Sequence, residues 1–308
     1  MKAPGFTAIG VDVGGTKIAA GLVSFPEGLV RGRRELATRP HRGGDVVLAE
    51  IERLVADLAA ESRAAGRPVD GIGVGVCEIV DRSGQIASAN CLAWPGAIVS
   101  GRLSSIAPTV IEADVRAAAR AEALFGEGRN SHVFLYVSIG TGISSCLVID
   151  GQPFTGARGG TGTLASGPLP GFNETAASAL GPTLENFASG PALVSRFNAL
   201  HGTAESGQDV LAGAARGNQI AAKIVRSAAE ALGGSLGWLV NVLDPELVIL
   251  GGGLGLSEGL YRQALIASAR RHIWWEGHRE LPILPATTAA DAGLIGAAAT
   301  AWKKYSGT

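Results

Sequence analysis

The chain has 308 residues, of which 46% are hydrophobic and 17% charged, with a formal net charge of −1. That length supports two domains with cores of their own and the composition excludes disorder, while the near-neutral balance leaves no polyanion-binding surface, so nucleic acid is not an expected partner. No apolar run is long enough to span a bilayer, no signal peptide opens the chain, and Cys77, Cys91 and Cys146 are too few and scattered for a disulfide framework, so the expected location is cytoplasmic.

Residues 8–23 predict a strand ending at Asp12, a turn through Gly14-Gly15-Thr16 and a returning strand. A turn without side chains lets backbone N–H groups approach an anion closely. Thr16 and Lys17 add a hydroxyl and a cation, and Asp12 is placed to hold a hydrated Mg²⁺. An ordinary glycine hairpin would look the same in isolation. A further strand is expected near 29–37, then an amphipathic helix from Val46 to Ala65, stopped by Gly66-Arg67-Pro68. Residues 70–76 read as a strand buried on both faces. The turn Asp81-Arg82-Ser83-Gly84, a short strand at 109–112 and an alanine-rich helix at 115–124 follow.

The pattern then repeats. Residues 132–139, Gly140-Thr141-Gly142 and residues 143–149 again read as strand, glycine turn and strand. Two such hairpins, each followed by alternating strands and helices, suggest a duplicated domain with a nucleotide between the copies. Helices are expected near 183–200, 206–215 and 217–243, and a buried strand at 246–250. Gly251-Gly252-Gly253, another helix, a strand near 281–285 and a terminal helix over 290–305 complete the chain. The 45 glycines are not periodic and cluster at strand ends, as tight turns around a ligand cleft would require.

Asp12-Val-Gly14-Gly15-Thr16-Lys17, Gly140-Thr141-Gly142 and Leu250-Gly251-Gly252-Gly253 resemble the three nucleotide-binding segments of the ROK-family sugar kinases. Ala290-Asp291-Ala-Gly293-Leu-Ile-Gly296-Ala resembles the family's closing segment, and the likeness runs through nearly the whole chain in order. It implies an α/β fold of two ribonuclease-H-like, actin-like ATPase lobes around a nucleotide cleft. The N-terminal lobe would span 1–114, joined by the terminal helix 291–308, and the C-terminal lobe 115–290. ATP with Mg²⁺ would phosphorylate a sugar hydroxyl. Residues 14–17 would approach the outer phosphates, 140–142 would clamp them, and 251–253 would admit the adenosine.

The resemblance makes Asp114 the catalytic base, at a strand end before an alanine-rich helix. Phosphoryl transfer needs alignment, charge neutralisation and a carboxylate to accept the hydroxyl proton. A helix-capping role is the alternative. The chain departs from the family on the acceptor side. The usual Asn before the base is Ala113, and the Gly-Glu-x-Gly-His segment has Thr163 and Ser166 at its Glu and His positions. The cysteine-rich zinc loop is replaced by Asn173 to Pro182, so no structural zinc is expected. Glu185 is the surviving acidic candidate, a solvated helix residue being its alternative, and Glu78 brings a carboxylate near the acceptor mouth. Asn90 is expected to bond an acceptor hydroxyl, and Trp94 is read as loop packing.

Loss of Glu, His and Asn groups disfavours an aldohexose, whose hydroxyls would be buried unpaired. The expected acceptor is therefore a C7-cyclitol of valiolone type, phosphorylated on its exocyclic primary hydroxyl. The alternatives are a hexose or N-acetylhexosamine kinase and a non-catalytic sugar sensor. The first strand starts by about residue 7, which predicts no preceding DNA-binding domain and counts against the sensor. A homodimer is expected from the family, with Trp274-Trp275 read as either an interface patch or local core.

Overall fold

A computed structural model describes residues 5–94, 98–167, 181–200 and 202–307. Most of the segment replacing the zinc loop, including Asn173 and Glu174, lies outside the described residues, as do Pro95 and Gly96. The chain forms two compact units. The first comprises residues 1–130, 151–161 and 290–308, and the second 131–150 and 162–289.

The first unit holds β1 (Phe6–Val13), β2 (Lys17–Phe25), β3 (Leu29–Ala37), β4 (Gly71–Val76) and β5 (Thr109–Ala113), in the order β3-β2-β1-β4-β5. β1 to β3 are antiparallel neighbours, whereas β4 runs parallel to β1 and β5 parallel to β4. Alternation along β1 sorts its side chains. Ile9, Val11 and Val13 join the cluster formed with Val47, Leu48, Ile51, Val55 and Leu58 of α1 (Gly44–Ala64). Ala8, Gly10 and Asp12 face the other way. There Ala8 packs with Ala121 of α3 (Asp114–Phe125) and with Leu294 and Ala298 of the terminal helix (Ala292–Tyr305). That helix lies on the sheet because Gly10 and Gly73 have no side chain. A Cβ would stand 2.1 Å from the Leu294 carbonyl oxygen at Gly10 and 1.8 Å from that of Ala297 at Gly73. The first unit extends to Asn130, past the boundary expected at residue 114, because α3 packs against the terminal helix of the same unit. α2 (Ile98–Leu103), which no sequence pattern predicts, and the short β8 (Gln152–Pro153) also belong to it.

In the second unit β6 (Val133–Ile139) and β7 (Ile143–Ile149) form an antiparallel hairpin. β9 (Leu247–Gly251) runs parallel to β6, and β10 (Ile283–Pro285) parallel to β9. Each unit therefore repeats a hairpin with a parallel strand beside its first arm. Leu135, Val137 and Ile139 of β6 and Val248 and Leu250 of β9 share a core with α7 (Gln219–Leu243). The same core takes in α9 (Leu260–His272), and α6 (Gly207–Ala215) lies where a helix was expected.

The helix expected over 183–200 is two helices, α4 (Leu184–Ala188) and α5 (Gly190–Asn198). Ser189 breaks it, its hydroxyl accepting the Ala192 N–H as a new cap while Pro191 enters the first turn of α5. A four-residue α8 (Gly252–Gly255) precedes α9, and the terminal helix is α10. Trp274 and Trp275 are exposed, at 83% and 56%, which removes the reading of this pair as core. Among the described residues no helix is long and apolar enough to cross a membrane.

Candidate functional site

Asp12 sits near the end of β1, opposite Ala19 of β2 and Gly75 of β4. Its carboxylate lies under the first turn of α10. A Cβ at Gly293 would stand 2.4 Å from the Asp12 carboxyl carbon, so only glycine admits it. Burial by this packing pushes the Asp12 pKa up to about 6, and the Lys17 cation partly offsets it. The turn beyond it is closed by the Gly14 N–H donating to the Lys17 carbonyl at 2.9 Å. The buried Thr38 braces it: its hydroxyl donates to the Gly14 carbonyl at 2.7 Å and its N–H to that of Thr16 at 3.0 Å. Thr16 and Lys17 are exposed, and the Lys17 ammonium lies 3.4 Å from Glu35 on β3.

Asp114 is the first residue of α3, directly after β5. The cap position is Ala113, and the Asp114 carboxylate accepts the N–H of its neighbour Val115 at 2.6 Å. It therefore does not make the cap bond to the second or third helical N–H. Its pKa is pushed up to about 7, first by burial and then by the Asp12 charge, while the Val115 N–H bond pulls it down. Burial raises the proton affinity of both carboxylates, and the Asp12 charge raises that of Asp114 further. Such a pair draws a cation or a proton. The acidic pair and the side-chain-free turn together fit a magnesium-bound polyphosphate.

Glu78 does not present a free carboxylate. It is 4% exposed and fully occupied by its own loop. Oε1 accepts the N–H groups of Cys91 and Leu92 at 2.6 and 2.9 Å. Oε2 accepts the Asn90 N–H at 2.8 Å and the Ser88 hydroxyl. Its four acceptor positions are filled. The expectation that Glu78 contacts the acceptor gives way to a pin that holds residues 88–92. Asn90 is exposed on that pinned loop, with its backbone fixed. Trp94 packs against the same core cluster, as expected of loop packing.

Arg116 escaped the sequence reading. Its Nε donates to Glu112 at 2.6 Å, and its terminal nitrogens donate to the carbonyls of Gly159 and Val80 at 2.8 and 2.7 Å. This buried guanidinium ties two loops to the start of α3. Glu112 and Arg116 are four apart in the chain, but Glu112 is on β5 and Arg116 on α3, so no helical pairing rule announces their bond.

Thr163, Ser166 and Glu185 belong to the second unit. The Ser166 N–H donates to the Thr163 carbonyl at 3.2 Å and that of Glu185 to Ala165 at 3.1 Å, which gathers the three. The Glu185 carboxylate is not simply solvated. Its Oε2 accepts the Ile143 N–H at 2.8 Å beside the glycine turn. In that turn the Gly140 N–H donates to the Gly142 carbonyl at 2.9 Å, and Thr141 lies exposed between them. Gly251 ends β9, Gly252 and Gly253 open α8, and this segment lies against the turn: a Cβ on Gly140 would be 3.7 Å from the Gly253 nitrogen. Gly252 has φ +75°, and a Cβ there would stand 2.5 Å from the Ile139 carbonyl oxygen, so this position requires glycine. The second unit thus brings its two glycine segments together.

Comparison with known proteins bears on what these groups serve. The family model described as ROK family matches residues 8–304. An N-acetylmannosamine kinase of Escherichia coli O157:H7 is 29% identical, over 95% of this chain and 97% of that one. The crystal structure of a ROK family glucokinase from Streptomyces griseus, in complex with glucose and AMPPNP, superposes with a TM-score of 0.81 at 26% identity, covering 96% of this chain and 99% of that one. A ROK hexokinase from Thermus thermophilus gives a TM-score of 0.77 at 29% identity, over 98% and 100% of the two chains.

Proposed function

The chain belongs to the ROK family, and from that membership and the site geometry we propose that it is an ATP-dependent kinase that phosphorylates a hydroxyl of a sugar-like polyol. The observation that carries this reading is the Asp12–Asp114 pair, two partly buried carboxyls with pKa values raised to about 6 and about 7 beside a glycine turn. ATP as donor is supported by the AMPPNP held in the Streptomyces griseus glucokinase.

Asp114 is the base. A carboxyl with a pKa of about 7 is still a carboxylate in a large fraction near neutral pH, yet takes up a proton readily. It accepts the proton of the acceptor hydroxyl as that oxygen attacks the terminal phosphorus. Asp12 would hold magnesium, an ion that neutralises phosphate charge when bound. Gly14, Gly15, Thr16 and Lys17 receive the outer phosphates, with Thr38 keeping the turn in shape. Gly140, Thr141 and Gly142 clamp the phosphates, and Gly251, Gly252 and Gly253 leave room for the adenosine. Asn90 bonds an acceptor hydroxyl, Thr163 and Ser166 line the acceptor, and Glu185 supports the second glycine turn.

The acceptor is the finer question. Ala113, Thr163 and Ser166, standing where the family has Asn, Glu and His, support an acceptor unlike an aldohexose at the anomeric position, and a C7-cyclitol with an exocyclic primary hydroxyl meets that description. The names of the relatives favour a second reading, a hexose or N-acetylmannosamine acceptor. A coupled ADP-release assay over a panel of cyclitols, glucose and N-acetylmannosamine separates the two. Strong glucose turnover defeats the cyclitol reading, and no ADP with any polyol defeats the kinase in favour of a sensor. Asp114→Asn should abolish transfer and leave ATP affinity within a few-fold; turnover near that of the natural protein would overturn the base assignment. The exposed Trp274 and Trp275 are proposed as a self-association surface, to be tested by sedimentation of the chain and its Trp274→Ser variant.

A further inference from the structure

Two thiols meet at the base of the loop that Glu78 pins. Cys77 directly follows β4, its N–H donating to the Val13 carbonyl at 3.2 Å. Cys91 lies on the loop, its N–H held by Glu78 at 2.6 Å. The two thiols hydrogen-bond each other. Cys91 Sγ also rests on the phosphate turn, 3.3 Å from where a Cβ on Gly15 would stand. The charge of Asp114 reaches both sulfurs. Both residues are half-buried, open to a small oxidant, whereas Cys146 is buried at 2% exposure in the other unit.

We propose that Cys77 and Cys91 are a reversible dithiol modification site, closed to a disulfide by a hydroperoxide, and that closure stops phosphoryl transfer. The second half of the proposal rests on the kinase reading; the first does not. The hydrogen bond from the Cys77 thiol lowers the Cys91 pKa, so Cys91 is the sulfur that ionises more readily. The hydrogen bond to Cys91, burial and the nearby carboxylates keep Cys77 protonated. The Cys91 sulfur attacks the peroxide: an S–O bond forms, the O–O bond breaks, and the departing alkoxide or hydroxide takes a proton. The Cys77 sulfur then attacks the Cys91 sulfenic acid, the S–S bond forms, and the hydroxyl leaves with the Cys77 proton as water. Two thiols have lost two electrons to one peroxide, giving the disulfide, one alcohol or water, and one further water.

The consequence follows from where the sulfurs sit. β4 is a central strand between β1 and β5, so Cys77 is the fixed partner. Closure draws Cys91 toward it. Cys91 is flanked by Asn90 and Leu92, both held by Glu78, and touches the Gly15 turn. The movement therefore displaces the proposed acceptor contact and the phosphate turn together.

The test treats the full chain with hydrogen peroxide, quenches with catalase, and maps peptides without reduction. A peptide joining Cys77 to Cys91 is expected. ADP-forming turnover should fall at least tenfold in step with the linked fraction and return with dithiothreitol. Cys77→Ser should show Cys91 oxidised further, without the link, and without recovery on reduction. Cys146→Ala should keep both the link and the inactivation. Oxidation of Cys91 with no joined peptide, or linked protein turning over at the reduced rate, overturns the proposal. If the reduced chain phosphorylates no acceptor, the kinase reading fails alone. The link is then judged by the joined peptide and by ATP affinity, which closure should weaken at least fivefold and which, unchanged, refutes the coupling.

Discussion

Asp114→Asn should make the protein more stable while it destroys turnover. In the folded chain this carboxyl's pKa is raised from 3.8 to about 7, by burial first and by Asp12 second. At about 1.4 kcal/mol for each tenfold change, the ionised form is disfavoured by roughly 4 kcal/mol. Asp114 keeps some exposure, which brings the working figure to about 2 kcal/mol. The sign follows from linkage. A raised acid pKa means that the folded state binds the proton more tightly than the unfolded state, so folding stability falls as pH rises. The penalty is absent below the unfolded value of 3.8, grows up to about pH 7, and is constant above it. Asn has the shape of the protonated acid and carries no charge, so it escapes the penalty. Thermal unfolding in the presence of a chelator, followed from pH 5 to pH 8, measures this. At pH 8 the variant should melt about 4 °C above the natural chain, at roughly 2 °C per kcal/mol for a chain of this size. The gap should narrow steadily toward pH 5. A folded variant that melts lower at pH 8, or whose advantage is independent of pH, refutes the argument that this carboxyl is held in strain beside Asp12.

Three further outcomes are expected. Glu78→Gln leaves an amide N–H₂ facing two of the four donors that the carboxylate now accepts; the KM for acceptor should rise about tenfold while that for ATP stays within twofold, in steady-state kinetics with each substrate varied. Gly73→Ala places a Cβ 1.8 Å from the Ala297 carbonyl oxygen, so α10 must lift from the sheet, at a loss of about 3 kcal/mol or more read from urea unfolding. Arg116→Met leaves buried Glu112 only the Arg120 guanidinium at 3.8 Å and the Ala113 N–H, frees the Gly159 and Val80 carbonyls, and should lower stability by about 2 kcal/mol, with greater proteolysis at the 156–163 segment in a limited-digestion assay.

The two hairpins, with their alternating apolar strands and bare glycine turns, were legible residue by residue, because a turn and its flanking strands are local. So were Asp12 at a strand end and Asp114 before an alanine-rich helix. The break at Ser189-Gly190-Pro191 was legible too, since its residues are those of a helix start, but the apolar pattern on either side concealed it. The acceptor side was read less well. Glu78 was read as a carboxylate at the acceptor mouth, but its partners lie 10 to 14 residues further on and are mostly backbone N–H groups, which no residue type announces.

By itself, then, the sequence determined the order of the sheet-forming strands and the longer helices, the three glycine segments and the pair of aspartates, because periodicity, turn chemistry and motif order are written along one dimension. Only the tertiary structure decided that α10 presses on Asp12 through Gly10, Gly73 and Gly293, that Asp114 feels the Asp12 charge, and that Cys77 meets Cys91. Charge repulsion, desolvation and thiol contact depend on distances between residues far apart in the chain, and those distances exist only once the sheet and its helices have closed on one another.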